Sequence, residues 1–258
     1  MNLDLKGRVA LVTGAARGIG LAEVEALAAE GAVIALNDLD KARAAAAAER
    51  MRANGAACEP FVADVAEEAG ADELVRSVAD RFGRLDILVN NAGISGRYLG
   101  TRVVDLPVTA WDEMIHVHMR SAFLCSRAAA KVMTAADFGR IVNTSSMNFT
   151  GGGRPGVAHY AAAKAGIAGF TSTLAKELGS SGITVNAIAP GYVETELLAA
   201  MGSEKRRVIV EQNPVGRFCK PEEVGALVAF LCSAQAAFIN GALICLDGGR
   251  RDFYWGAA

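Results

Sequence analysis

Short apolar runs alternate with helix-forming stretches along nearly the whole chain, and no other feature restricts the fold as much. Val9-Ala-Leu-Val12 ends in a glycine-rich turn, after which Ile19 to Glu30 repeats apolar residues at helical spacing and stops at Gly31. Val33-Ile-Ala-Leu36 is the next strand-like run, followed by Lys41 to Ala53, whose alanine block has high helix propensity. Further runs lie at Glu59-Pro-Phe-Val62, Ile87-Leu-Val89, Ile141-Val142, Thr184 to Ile188 and Leu243 to Leu246, with helical stretches between them. Strands that alternate with helices predict an α/β protein, a parallel sheet covered on both faces. With 258 residues, half of them apolar, the chain can bury one large core, and no linker or repeat divides it. A single domain over 1–258 is expected.

The turn after the first strand reads Thr13-Gly14-Ala-Ala-Arg17-Gly18-Ile19-Gly20 and opens the first helix. Glycines there permit a tight turn and close backbone approach, and a helix N-terminus offers free N–H groups to a pyrophosphate. Asp38, at the end of the second strand, falls near the ~20-residue interval expected of an acid that bonds the adenosine ribose. Its charge would repel a 2′-phosphate and favours NAD, whereas Arg17 could pair with that phosphate; the carboxylate is given the greater weight. Asp64 and Val65, after the third strand, could reach the adenine edge, although Asp64 could equally be a helix N-cap.

Tyr160-Ala-Ala-Ala-Lys164 follows Asn143-Thr144-Ser145-Ser146 by a short loop. On a helix this spacing puts the phenol and the ammonium on one face, where both could meet one reacting atom. Making a tyrosine a base near pH ~7 takes a shift of roughly 3 units, about 4 kcal/mol. A cation held ~4 Å away in a partly screened site supplies about that much. A core tyrosine with a snorkelling lysine would have the same spacing.

Taken together, Thr13-Gly14-x-x-x-Gly18-x-Gly20, Asn90-Asn91-Ala92-Gly93, Ser146, Tyr160-x-x-x-Lys164, Pro190-Gly191 and Asp247-Gly248-Gly249 stand in the order and spacing of the short-chain dehydrogenase/reductase family, which the chain resembles over its whole length. The resemblance implies a single doubly wound Rossmann-type domain with a seven-stranded parallel sheet, a homotetramer and a nicotinamide cofactor. It makes Tyr160 the catalytic acid/base, Lys164 the group that lowers its pKa and holds the nicotinamide ribose, and Ser146 rather than Ser145 the partner of the substrate oxygen. Asn91, Ala92 and Gly93 would line the cofactor site, and Pro190, Gly191, Val193 and Thr195 would lie at its nicotinamide end. Asn91 could also brace the central sheet, and Pro190-Gly191 could be a turn.

His118 stands where the family's helix usually carries a catalytic asparagine whose backbone carbonyl positions a water. That role survives the change of side chain; alternatively the imidazole joins the proton relay. The resemblance places a substrate lid around 194–214, to which Leu197, Leu198 and Met201 would offer an apolar face. Lys205-Arg206-Arg207 reads as a solvated face, and the aromatic tail 250–258 either packs on its own sheet or covers a neighbour's site. The function expected is hydride transfer between NAD and a small secondary alcohol or ketone, such as a polyol, hydroxy acid or cyclic alcohol. The alternatives are an NADPH-dependent 3-oxoacyl-type ketoreductase and a non-redox or regulatory NAD-binding protein.

Other classes find little support. A net charge of -2 gives no reason to expect nucleic acid or an anionic membrane. Cys58, Cys125, Cys219, Cys232 and Cys245 are odd in number and scattered, as reduced packing thiols are, and His116 and His118 are wrongly spaced for a shared metal. No apolar signal segment precedes the first strand, so a cytoplasmic protein is expected.

Overall fold

The structure is a computed structural model that describes residues 3–149 and 154–249. The tail 250–258 and the Leu197 and Phe149 side chains, on which expectations were placed, lie outside the described residues.

Seven parallel strands form one sheet in the order β3-β2-β1-β4-β5-β6-β7. They are β1 (Val9–Val12), β2 (Val33–Asp38), β3 (Cys58–Val62), β4 (Ile87–Asn90), β5 (Gly139–Thr144), β6 (Ile183–Pro190) and β7 (Leu243–Leu246). The main helices are α1 (Gly18–Ala29), α2 (Lys41–Ala53), α3 (Glu68–Phe82), α4 (Val108–Ile115), α5 (Ser121–Ala136), α6 (Ala158–Leu178), α7 (Glu196–Ala199), α8 (Ser203–Glu211) and α9 (Pro221–Leu231). A π-helical stretch, His116–Arg120, joins α4 to α5.

Successive residues of a strand point to opposite faces, so each central strand feeds two cores. Val12, Val89, Val142 and Ile188 pack under Val24 and Leu27 of α1 and Val224 and Val228 of α9. Their neighbours Leu11, Leu88, Ile141 and Val185 pack on the other face, against Leu74 and Val78 of α3 and Leu124 and Met133 of α5. Burial of both faces explains why the strands read as unbroken apolar runs.

β5 and β6 run furthest beyond their apolar runs. β5 begins at Gly139 and ends at Thr144 because its polar residues are also satisfied inside: Asn143 Nδ2 donates to Thr171 Oγ1 at 2.9 Å and Arg140 Nη1 to the Gly139 carbonyl at 2.8 Å. β6 extends to Pro190, and its buried Asn186 donates to the Ile239 carbonyl at 2.7 Å. Hydropathy does not register a buried polar residue whose partner comes from a distant segment.

Local chemistry sets the helix ends. Asp40 caps α2, its Oδ1 accepting the N–H groups of Ala42 and Arg43 at 3.0 and 3.1 Å, and Arg50 and Arg52 sit favourably in the last turn. α3 stops at Gly83, whose φ of +73° suits a left-handed cap. Strand order reverses between β1 and β4, which opens a crevice at the carboxyl ends of the strands, the usual ligand position in such sheets.

Candidate active site

That crevice is a cavity of about 1960 Å³. Pockets for one drug-sized molecule run to roughly 1,000 Å³, so this volume accommodates a dinucleotide and a second molecule together. All nineteen expected site residues line it: Gly14, Arg17, Gly18, Ile19, Gly20, Asp38, Asp64, Val65, Asn91, Ala92, Gly93, His118, Ser146, Tyr160, Lys164, Pro190, Gly191, Val193 and Thr195.

The glycine-rich turn is fixed by close contact. Gly14 has φ +61°, and a Cβ there would stand 2.8 Å from the Ala92 Cα; a Cβ on Gly20 would stand 2.5 Å from Asn91 Nδ2. Asn91 Nδ2 donates to the carbonyls of Thr13 and Gly14 at 3.0 and 2.9 Å, tying the end of β4 to the turn. It is Asn90 that braces the sheet, donating to Asn143 Oδ1 at 2.8 Å and Ser126 Oγ at 2.9 Å. No side chain caps the N-terminus of α1, which leaves its first-turn N–H groups for a ligand.

Asp38 lies at the rim beyond that turn, where its Oδ2 accepts the Ala16 N–H at 3.1 Å and its Oδ1 the Asp40 N–H at 3.0 Å. The carboxylate is thus held beside the glycine turn. Asp64 accepts the Ala66 N–H at 3.0 Å, and Glu67 is the residue that precedes α3, so Asp64 is a loop residue and the N-cap alternative is set aside. Uncapped N–H groups, a tight glycine turn and a carboxylate at this separation fit the two halves of a nicotinamide dinucleotide.

At the other end the two neighbouring serines have different surroundings. Ser145 Oγ donates to the Lys164 carbonyl at 2.8 Å, a bond that docks α6 on β5. Ser146 faces the cavity and is hydrogen-bonded to the Tyr160 phenol. Its Oγ also accepts from Asn148, Nδ2 at 3.1 Å and the backbone N–H at 3.3 Å, so Asn148 orients it.

Lys164 Nζ stands 5.8 Å from the Tyr160 ring centroid and donates to the Thr144 carbonyl at 2.7 Å. Burial pushes the ammonium down to about 7, opposed by the charge of Glu23. Burial raises the Tyr160 phenol, and the Ser146 hydrogen bond opposes it. In this arrangement desolvation outweighs the attraction that simple Coulomb reasoning assigns to the lysine.

His118 comes off the π-helical stretch, so its ring enters the cavity while His116 turns outward to Glu67, 3.1 Å away. Its Nε2 lies 2.7 Å from the Ile94 carbonyl and 3.2 Å from the Ile94 N–H. Gly93 leaves room for the ring, since a Cβ there would stand 2.4 Å from His118 Cε1. Burial, with the nearby Lys164 charge, drives the imidazole down to about 3, so it is neutral.

Glu23 was not singled out from the sequence. It is fully buried on the sheet-facing side of α1, both carboxyl oxygens lack a hydrogen-bond partner, and burial raises it to about 8 against the pull of Lys164. A charged residue three positions after Gly20, among the core-facing Val24 and Leu27, was the available signal.

The segment expected to form a lid holds α7 and α8 and carries a small cluster of Leu198, Ile209 and Phe218, with Met201 packed against it. The expectation of a wholly solvated Lys205-Arg206-Arg207 face is corrected in part. Arg206 pairs with Glu194 at 3.1 Å and Arg207 with Glu204 and Glu211 at 2.6 Å, but Lys205 turns into the cavity. Among the described residues no cluster could hold a metal, and no helix is long and apolar enough to cross a membrane.

Comparison with known proteins agrees with this geometry. Residues 14–251 match the family described as enoyl-(acyl carrier protein) reductase. A 3-oxoacyl-(acyl-carrier-protein) reductase of Synechocystis is 40% identical over 247 residues, 95% of this chain and 97% of that protein. The Escherichia coli reductase of that name is 39% identical, over 96% of this chain and 98% of its own. Among solved structures, a gluconate 5-dehydrogenase of Burkholderia cenocepacia in complex with NADP and tartrate superposes with a TM-score of 0.90 at 36% identity, covering 96% of both chains. A Serratia marcescens short-chain dehydrogenase/reductase gives 0.89 at 38% identity, covering 95% of this chain and 98% of its own. Sheet order, glycine turn and the serine, tyrosine and lysine at the crevice all accord with these matches, and the chain belongs to the short-chain dehydrogenase/reductase family.

Proposed function

We propose that this oxidoreductase interconverts a ketone and a secondary alcohol with NAD(H), and that 3-oxoacyl-type compounds are its substrate class in preference to simple polyols. The observation that carries the reaction is the meeting of Ser146, Tyr160 and Lys164 at the crevice below the glycine turn. Reductases of 3-oxoacyl groups at 39–40% identity favour the oxoacyl class over the polyol reading. NADP in the Burkholderia complex is set against Asp38, whose carboxylate is held beside the glycine turn by the Ala16 N–H, and that charge supports NAD.

When bound, the nicotinamide supplies or accepts the hydride. The protein's share is proton handling and alignment. Tyr160 takes the hydroxyl proton during oxidation and returns it during reduction, so that one proton and one hydride leave or enter the carbinol together. Ser146, with its lone pairs engaged by Asn148, donates to the same substrate oxygen. Lys164, in its charged form, stabilises the phenolate beside it and holds the cofactor ribose. His118 ties its helical stretch to the loop after β4 through Ile94.

The remaining assignments go with this reading: one dinucleotide-binding and catalytic domain, the lid at 194–214, the cofactor residues named above, a homotetramer and a cytoplasmic location. Trp111, Phe123 and Val108, exposed on α4 and α5, support association through that face.

The test is initial rates with NADH and NADPH on 3-oxoacyl thioesters and neutral ketones, and with NAD and NADP on polyols, with Tyr160→Phe as the blank. NADH-dependent reduction of a 3-oxoacyl compound, absent in the variant, is expected. Turnover retained in Tyr160→Phe would overturn the assignment.

A further inference from the structure

Two cations from segments far apart in the chain line the same crevice. Arg154 lies in the loop before α6 and Lys205 on α8 of the lid; both are half-buried, and both line the cavity that holds Ser146 and Tyr160. Among the described residues neither forms an ion pair, whereas the neighbouring Arg206 and Arg207 are each matched by glutamates. Both line one cavity, and burial, with the charge of Arg154, holds the Lys205 ammonium below its ordinary range. Like charges brought together without a counterion are costly, and a ligand anion between them removes that cost.

The other charges of the cavity leave this pair unopposed. Asp38, Asp40 and Asp64 line the glycine-turn side, Arg43 is paired with Asp40 at 3.2 Å, and Glu113 and Glu196 are exposed on the rim. Arg97 is exposed and stacked on Tyr98, with Nη2 donating to its hydroxyl at 3.0 Å.

We propose that Arg154 and Lys205 form an anion subsite that receives an oxyanion carried by the substrate, so that the compound reduced or oxidised is charged at its far end. This rests on the redox reading above and narrows its substrate class. Two sources share the chemistry: the carboxylate of a free oxo or hydroxy acid, and the phosphodiester of a pantetheine arm bearing an oxoacyl thioester.

The experiment compares charged and neutral partners with the same reacting ketone: 3-oxobutanoate with its methyl ester, and 3-oxobutanoyl phosphopantetheine with 3-oxobutanoyl pantetheine. Each is reduced with NADH by the wild type, Arg154→Met, Lys205→Met and, as a control outside the cavity, Arg207→Met. The charged member of one pair is expected to be favoured at least tenfold in kcat/KM, chiefly through KM, and each cavity variant to cut that preference at least fivefold while the control keeps it. The preference is a ratio within one preparation, so partial misfolding of a variant cancels. Preference in the first pair assigns the carboxylate, and in the second the phosphate of the pantetheine arm. No preference in either pair, or one that survives both cavity variants, would overturn the subsite.

If neither ketone were reduced although NAD bound, the redox reading would fail separately. Calorimetric titration of 3-hydroxybutanoate and of phosphopantetheine into the NAD complex would then decide the subsite. Binding weakened by Lys205→Met supports it, and absence of binding by either rejects it.

Discussion

The His118 imidazole meets the Tyr160 ring edge to face, with centroids 5.4 Å apart and planes at 88°. One ring nitrogen, Nε2, faces both the carbonyl and the N–H of Ile94 and can serve only one of them, while Nδ1 has no partner. An asparagine amide carries a donor and an acceptor and could serve both.

His118→Asn should therefore retain activity and gain stability by about 1 kcal/mol, the net value of one recovered buried hydrogen bond. Because burial already holds the imidazole near pH 3, the pH–rate curve above pH 5 should not change. Superposable profiles for the two proteins would confirm this; a displaced inflection would put the imidazole in the proton relay.

The two serines should separate cleanly. Ser146→Ala removes the hydroxyl that faces Tyr160 and should lower kcat by ~10² or more with little change in melting temperature. Ser145→Ala breaks the bond to the Lys164 carbonyl and should cost about 1–2 kcal/mol of stability while leaving much of kcat. Steady-state kinetics and thermal unfolding of both variants check the pair; equal kinetic losses would contradict it.

Asp38→Asn removes the charge beside the glycine turn and should move the NADP-to-NAD ratio of kcat/KM toward NADP by roughly tenfold, about 1.4 kcal/mol. An unchanged ratio would mean that Arg17, which lines the same cavity, governs the choice.

Glu23 should make stability fall with rising pH. Its carboxyl titrates near 4.5 when unperturbed and near 8 in the folded protein, so between those values the folded state holds a proton that the unfolded chain has released. Stability from this group is complete below about pH 4.5 and is lost as pH rises through 8. Glu23→Gln should leave the melting temperature almost unchanged at pH 5. At pH 8.5 it should raise it by several degrees, at roughly 2–4 °C per kcal/mol. Equal shifts at both pH values would show that the carboxyl is not the source.

The sequence by itself determined what one element or one turn can hold. Tyr160 and Lys164 share a face because helical pitch puts them there, and the glycine turn precedes α1 because only glycine takes φ near +60° at Gly14 and Gly18. Continuous apolar runs announced the central strands, since a sheet covered on both faces leaves no room for alternation. Tertiary structure alone decided the charges. Lys205 of α8 and Arg154 of the loop before α6 line one cavity although they stand far apart in the chain, and Glu23 of α1 influences Lys164 of α6. It also gave the physical difference between Ser145 and Ser146, which the resemblance had already separated: the Ser145 hydroxyl is spent on the Lys164 carbonyl, whereas the Ser146 hydroxyl accepts from Asn148. Spacing along a chain fixes neighbours within an element; burial and electrostatic partners depend on which segments cross, and no local pattern encodes that crossing.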